Sequence, residues 1–295
     1  MKKHAYLIMA HNQPEILKKL LLLLDHEQND LYIHIDKKMK NFEKNEYKSL
    51  LKKSECHFVK RTNVKWGGYS QIKCELLLLK YAIKKEHSYY HLLSGVDLPL
   101  KTQDKIPELF EKYNGLEFVD EDYPIVEESA LDRIKYYYFL TDKKTDFAYA
   151  LKRKILKVQK FLKINRLNRH SKKIFQKGRN WFSITHELAK ELIKNEGLIK
   201  NIFRYSHCGD ELFLQTIVRN TGFCKKICNK NTMPEIPDTR HIDWERGGPY
   251  VFRSEDYHEL KNTDALFARK FDERVDSDII EKIYRDLLLE TKKVV

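Results

Sequence analysis

No stretch of this sequence is long and apolar enough to cross a bilayer as a helix. Leu20–Leu24 is far too short, and the apolar run Ala5–Ala10 is shorter than a secretion-signal core and closed by His-Asn-Gln-Pro-Glu. A soluble or peripheral protein is expected. Cysteine is sparse: Cys56, Cys74, Cys208, Cys224 and Cys228 make an odd set of five. No disulfide framework is expected, and a reducing cytoplasm is the default compartment. Cys224 and Cys228, with His207 and Cys208 upstream, match no usual zinc spacing, so they are read as small buried hydrophobes. Repeats, low-complexity tracts and Pro/Gly/Ser linkers are also missing, which leaves no boundary at which to divide the chain. The 295 residues are read as one domain, 1–295, with a first half to about residue 125 and a second from about 126.

Acidic residues are missing from one region in particular. Between Lys152 and Arg179 stand twelve Lys and Arg and no Asp or Glu, so this segment carries nearly all of the formal charge of +13. Leu151, Ile155, Val158 and Leu162 recur there at helical spacing, which predicts a basic amphipathic helix in an insert over about 145–179. Such a helix either packs its stripe and solvates its charges or meets an anionic membrane through residues 151–179. Nucleic acid is the weakest partner, since no recognised nucleic-acid module accompanies it.

The first 125 residues alternate as an α/β unit does. Strands are predicted at residues 4–10, 31–36, 57–60, 89–94 and 116–119, with helices opening at Pro14 and spanning 71–85. The second half reads as more helical, with a short strand at 181–184, helices at 186–195 and 210–218, and a Gly/Pro loop at 246–250. This pattern predicts an α/β domain with a mixed, parallel-rich central sheet. Ligands in such sheets sit beyond the carboxyl ends of the strands. There the sequence places His11, Asp36 and Asp97; Asp36 and Asp97 suit a nucleotide, although each could instead cap a turn. Asp210-Glu211 precede an apolar helix, where one acid can cap and the other face a cleft as a base. Arg246 and Lys270 could neutralise phosphates, or form salt bridges with Asp243, Glu245, Asp272 or Glu273. Trp66, Gly68 and Ser70 lie at a loop-to-helix junction where backbone N–H groups could meet phosphate. Trp181 and Trp244 could stack on an acceptor sugar or fill the core, and Arg133, Lys135 and Tyr136–Tyr138 could line the acceptor cleft.

HAYLIMAH, IHIDKK, WGGYSQIKCELLLLKYA, YYHLLSGVDLPLKT, NWFSIT, CGDELFLQT and ALFARKFD occur in this order over about residues 4–272. Together they resemble the core-2/I-branching glycosyltransferase family, which includes the peptide O-xylosyltransferases. The resemblance implies a GT-A-type, Rossmann-like domain that transfers N-acetylglucosamine or xylose from a UDP-sugar, with inversion, to a glycan or lipid-linked oligosaccharide. It places the general base on Glu211, the phosphate-binding lysine on Lys270 and the uridine-contacting aspartate on Asp36. The partner arginine maps close to Arg246, one residue before the position that spacing gives, with Arg253 as the other candidate. It puts the donor edge at Asp97 and implies no metal. The alternative cofactor is Mn²⁺ or Mg²⁺ at Asp120 and Asp122, which follow a strand as an Asp-x-Asp motif does. Lacking the anchor and disulfides of animal members, the chain resembles a bacterial cytoplasmic relative, peripheral on the inner face of the membrane, in polysaccharide biosynthesis. The alternative to an enzyme is an inactive carbohydrate- or membrane-surface-binding protein of the same fold.

Overall fold

The computed structural model describes residues 2–121, 126–139, 141, 145–228, 233 and 235–294. The first half comprises β1 (His4–Ala10), α1 (Pro14–Leu24), β2 (Asn29–Ile35), α2 (Lys44–Ser49), β3 (Glu55–Phe58), α3 (Ser70–Ala82) and β4 (Tyr89–Ser94). Then come β5 (Leu98–Pro99), α4 (Lys105–Lys112), β6 (Phe118–Val119), α5 (Glu128–Lys135), α6 (Asp146–Phe161) and β7 (Phe182–Thr185). The chain closes with α7 (His186–Lys194), α8 (Glu196–Phe203), α9 (Phe213–Arg219), β8 (Arg240–Ile242), α10 (Tyr257–Asn262), β9 (Phe267–Arg269) and α11 (Asp278–Val294).

β1, β2 and β4 are buried almost throughout because both of their faces are covered, as in the interior of a parallel sheet. The main sheet runs β3-β2-β1-β4-β7-β6; its first four strands are parallel, while β7 and β6 are antiparallel to their neighbours. Alternate residues of β1 feed two cores. Tyr6, Ile8 and Ala10 pack with α1, α4 and α11, while Ala5 and Leu7 pack with α3, α7 and α9. Pro14 opens α1, where the N–H it lacks would have had no helical acceptor. The predicted mixed, parallel-rich α/β architecture is present.

Two features differ from the expectation. A second sheet, β5-β9-β8, stands beside the first, built from strands of two or three residues. Buried Arg240, at the start of β8, ties the two sheets together by donating to the carbonyls of Leu92 and Phe182, both at 3.1 Å. The basic insert is also not one long helix. α6 begins where Thr145 accepts from the Ala148 N–H and ends at Phe161. Beyond it Arg166 turns inward and donates to the carbonyls of Ile134, Tyr136, Asn201 and Ile202, so the rest of the segment folds back onto the body.

Candidate active site

The carboxyl ends of β1, β2 and β4 meet at one edge of the main sheet. Asp36 follows β2 and is 1 % exposed as a side chain. One of its oxygens accepts the Lys38 N–H and the other the Val64 N–H, each at 2.8 Å. Asp36 therefore closes its own turn and anchors the loop at residues 62–68, while each oxygen keeps lone pairs for a further donor. His11, just after β1, lies within electrostatic range of Asp36, Lys38, Arg269 and Lys270.

The turn after β4 is pinned by Asp97, which accepts from the Ser94 N–H at 2.8 Å and from the Ser94 hydroxyl at 2.7 Å. Asp97 is also 3.7 Å from Nη1 of Arg269, the last residue of β9. The Arg269 guanidinium lies 4.0 Å from the centroid of the Trp181 ring. Although its side chain is only 13 % exposed, its Nε and Nη1 have no hydrogen-bond partner among the described residues. Buried arginine donors without acceptors are costly, and here the Asp97 carboxylate meets the charge from 3.7 Å. Lys270 follows directly, held by backbone bonds from its N–H to Tyr250 and to its carbonyl from Phe252.

Glu211 ends a 3₁₀ turn, Gly209–Glu211, that leads into α9. The turn follows Cys208, whose φ is 47°, and Gly209 is required because a β-carbon there would stand 2.2 Å from the Ser206 hydroxyl. Glu211 Oε2 accepts from Arg133 Nη1 at 2.6 Å. The loop at 62–68 links this turn to Asp36, because the Gly67 carbonyl accepts from the Cys208 N–H at 2.8 Å. Beneath Glu211, Asp210 accepts from the Gln71 amide at 3.0 Å, while its other oxygen and both oxygens of buried Glu75 have no partner among the described residues. Burial first, and then the charge of Glu211, pushes the Asp210 carboxyl up to about 7; burial also raises Glu75.

A carboxyl whose folded pKa exceeds its unfolded value of about 4 stabilises the fold only while protonated. Its contribution falls as pH rises from there through about 7. Asp210→Asn is expected to gain stability over the parent by several degrees in melting temperature at pH 8, and by much less at pH 5. Paired thermal melts at the two pH values check this; an equal gain at both would show that Asp210 is ionised throughout.

Residues 4–265 match the family model for the core-2/I-branching enzyme. The chain belongs to the core-2/I-branching enzyme family. It is 22 % identical to a xylosyltransferase of Ciona intestinalis over 95 % of this chain and 34 % of that protein. It is 21 % identical to xylosyltransferase 2 of Canis lupus familiaris over 94 % of this chain and 33 % of that one. The chain thus spans about a third of the length of these curated relatives. Among solved structures, apo mouse xyloside xylosyltransferase 1 aligns over 90 % of this chain and 96 % of that chain, at 10 % identity and a TM-score of 0.38.

Several expected site residues of this family member stand elsewhere or are otherwise engaged. The Arg246 guanidinium pairs with Asp243, one of the expected salt-bridge partners, and also with Asp256 at 2.5 Å and Glu259 at 3.1 Å. Arg253, the other candidate, is exposed at the start of a short 3₁₀ turn. At the junction before α3 several polar groups are engaged within the loop itself. The Gly67 N–H goes to the Gln71 side chain, the Gly68 N–H to the Lys65 carbonyl, and the Ser70 hydroxyl accepts from the Lys65 N–H at 2.7 Å. Trp66 is 71 % exposed, edge-on to His207, and so is not a core residue. Neither Asp210 nor Glu211 caps α9 through its side chain. Of the candidate metal pair, Asp120 is bound to Arg179, and Asp122 lies outside the described residues. Trp244 is 51 % exposed.

Arg269 was missed because it sits beside the expected Lys270 in ARKFD, and nothing in that string says which cation is buried. A cavity of about 270 Å³ was also out of reach of sequence reasoning. It is lined by Trp181, Arg179, Asp120, Asp238 and Arg240, drawn from three separate segments, and by Cys228 from a fourth. Gly178 lets those segments close up, since a β-carbon there would stand 2.0 Å from the Asp120 carbonyl.

Proposed function

We propose that the chain is an inverting glycosyltransferase of GT-A type that moves N-acetylglucosamine or xylose from a UDP-sugar to a hydroxyl of a glycan or lipid-linked acceptor. The observation that carries this reading is the buried Arg269, whose Nε and Nη1 have no hydrogen-bond acceptor among the described residues and whose ion-pair contact with Asp97 is a loose 3.7 Å, next to Lys270 at the carboxyl edge of the sheet. That pair is the natural receiver of a departing diphosphate, and it replaces Arg246 in the role. Asp97 fixes the Arg269 guanidinium, and Asp36 with His11 offers an acceptor and a ring to the uridine.

The acceptor oxygen attacks the anomeric carbon from the face opposite the diphosphate. As the new C–O bond forms, the bond to the leaving phosphate oxygen breaks and its electron pair goes to UDP, where Arg269 and Lys270 stabilise the charge. Glu211 takes the hydroxyl proton. Arg133, paired with Glu211 at 2.6 Å, holds the carboxylate in place before the acceptor arrives. Trp181, stacked on Arg269, also lines the adjoining cavity, which suits the apolar face of a sugar ring.

Transfer is proposed to proceed without metal, since the two basic side chains supply the charge a cation would. A panel of nucleotide sugars, led by UDP-xylose and UDP-N-acetylglucosamine, tests the reading through UDP release with a glycan acceptor. Turnover of one donor, undiminished in excess EDTA, is the expected outcome. Activity lost to EDTA and restored by Mn²⁺ would move the diphosphate site to Asp120 and Asp122. Binding of UDP with no turnover of any donor would favour an inactive binding protein.

A further inference from the structure

We propose that α6 docks on the surface of an anionic lipid bilayer, with Phe147, Val158, Phe161 and Leu162 entering the headgroup region between basic side chains that meet lipid phosphates. A helix on a globular body normally turns its apolar stripe inward. Here Phe147 is 76 %, Val158 55 %, Phe161 85 % and Leu162 61 % exposed. At about 100° per residue these four fall within an arc of roughly 100°, so they form one outward stripe.

Residues outside this arc hold α6 in place. The Gln159 amide group accepts from the Tyr137 N–H at 2.8 Å and donates to the Tyr137 carbonyl at 2.9 Å, Ala148 is buried, and Lys160 pairs with Asp132 at 3.0 Å. The stripe therefore cannot roll inward without breaking these bonds. Exposed Lys154 falls within this arc and exposed Lys157 borders it, and no acid occurs from Phe147 to Arg179.

Charge complementarity chooses the occupant. A second copy of this surface would set like charges against each other, and a nucleic acid would leave four large apolar side chains in water. An anionic bilayer satisfies both the stripe and its border. The docking stands whether or not the chain is a transferase. Where it is one, α5 joins the membrane face to the site, since Asp132 holds α6 and the next residue, Arg133, holds Glu211. A lipid-linked acceptor would then be delivered beside the base.

Sedimentation of the full chain with vesicles tests this, using phosphatidylcholine alone or mixed equally with phosphatidylglycerol. Binding to the anionic vesicles only, weakening with salt, is expected. Phe147→Ala/Phe161→Ala should bind at least about tenfold more weakly, and Lys154→Ala/Lys157→Ala about 25-fold more weakly. Both variants change exposed side chains and should keep the parent's circular dichroism and melting temperature. Equal binding to the two vesicle types, or unchanged binding by the phenylalanine variant, would overturn the proposal. So would a dimer of the parent chain that the phenylalanine variant dissolves, because a second copy would then cover the stripe.

Discussion

Glu211→Gln is expected to lower kcat by on the order of 10²–10⁴-fold while leaving the dissociation constant for UDP within about threefold of the parent. The amide keeps the shape and the contact with Arg133 but cannot take the acceptor proton. Binding of UDP is expected to be spared because the contacts proposed for the nucleotide lie with Asp36, Arg269 and Lys270 rather than with Glu211. Kinetics under saturating donor, together with calorimetric titration of UDP, separate the two effects. A Gln variant with near-parental turnover would assign the base elsewhere. Asp210 is then a poor substitute, because it is buried, bonded to Gln71 and pushed up to about 7.

The second large effect is expected at the basic pair. Lys270→Ala should lower kcat/KM by about 10²–10³-fold, the range for removing one preorganised donor from a developing oxyanion. Unlike Glu211→Gln it should also weaken UDP, because the lysine meets the diphosphate in the ground state as well. Arg269→Ala should act in the same direction and additionally release Asp97 and Trp181, which the guanidinium now joins. Arg246→Ala provides the contrast. It removes the shared partner of Asp243, Asp256 and Glu259, so the expected loss is in stability rather than in donor affinity. Michaelis parameters and melting temperatures for the three variants distinguish these patterns. Donor affinity lost in Arg246→Ala and kept in Lys270→Ala would reverse the assignment.

Much of this architecture was legible before any coordinates. β1, β2 and β4 announce themselves because strands covered on both faces carry short runs of large apolar side chains, and Pro14 marks the start of α1 for a reason of backbone chemistry. The second sheet was not legible, since strands of two or three residues are too short to show a period. Charged side chains were read with least success, because burial is decided by tertiary contacts that a string of letters does not contain. Arg246 and Arg269 look alike in sequence, yet one is held among three carboxylates at the surface and the other is enclosed beside Asp97, with Nε and Nη1 lacking a hydrogen-bond acceptor among the described residues. Glu75 sits in a run of leucines and is 0 % exposed, a burial that the amphipathic pattern of α3 would not assign to an acid. The stripe of α6 shows the converse. Its helical spacing was visible, but which apolar residues pack and which face outward depends on how Gln159 and Lys160 dock the helix.

A crystal structure of the chain soaked with UDP tests the central claim most directly. The account predicts the diphosphate within hydrogen-bonding distance of Arg269 and Lys270, the uridine against Asp36, and Glu211 facing the open side of the β-phosphate. A diphosphate seated instead at Arg246, or on a cation between Asp120 and Asp122, would contradict it.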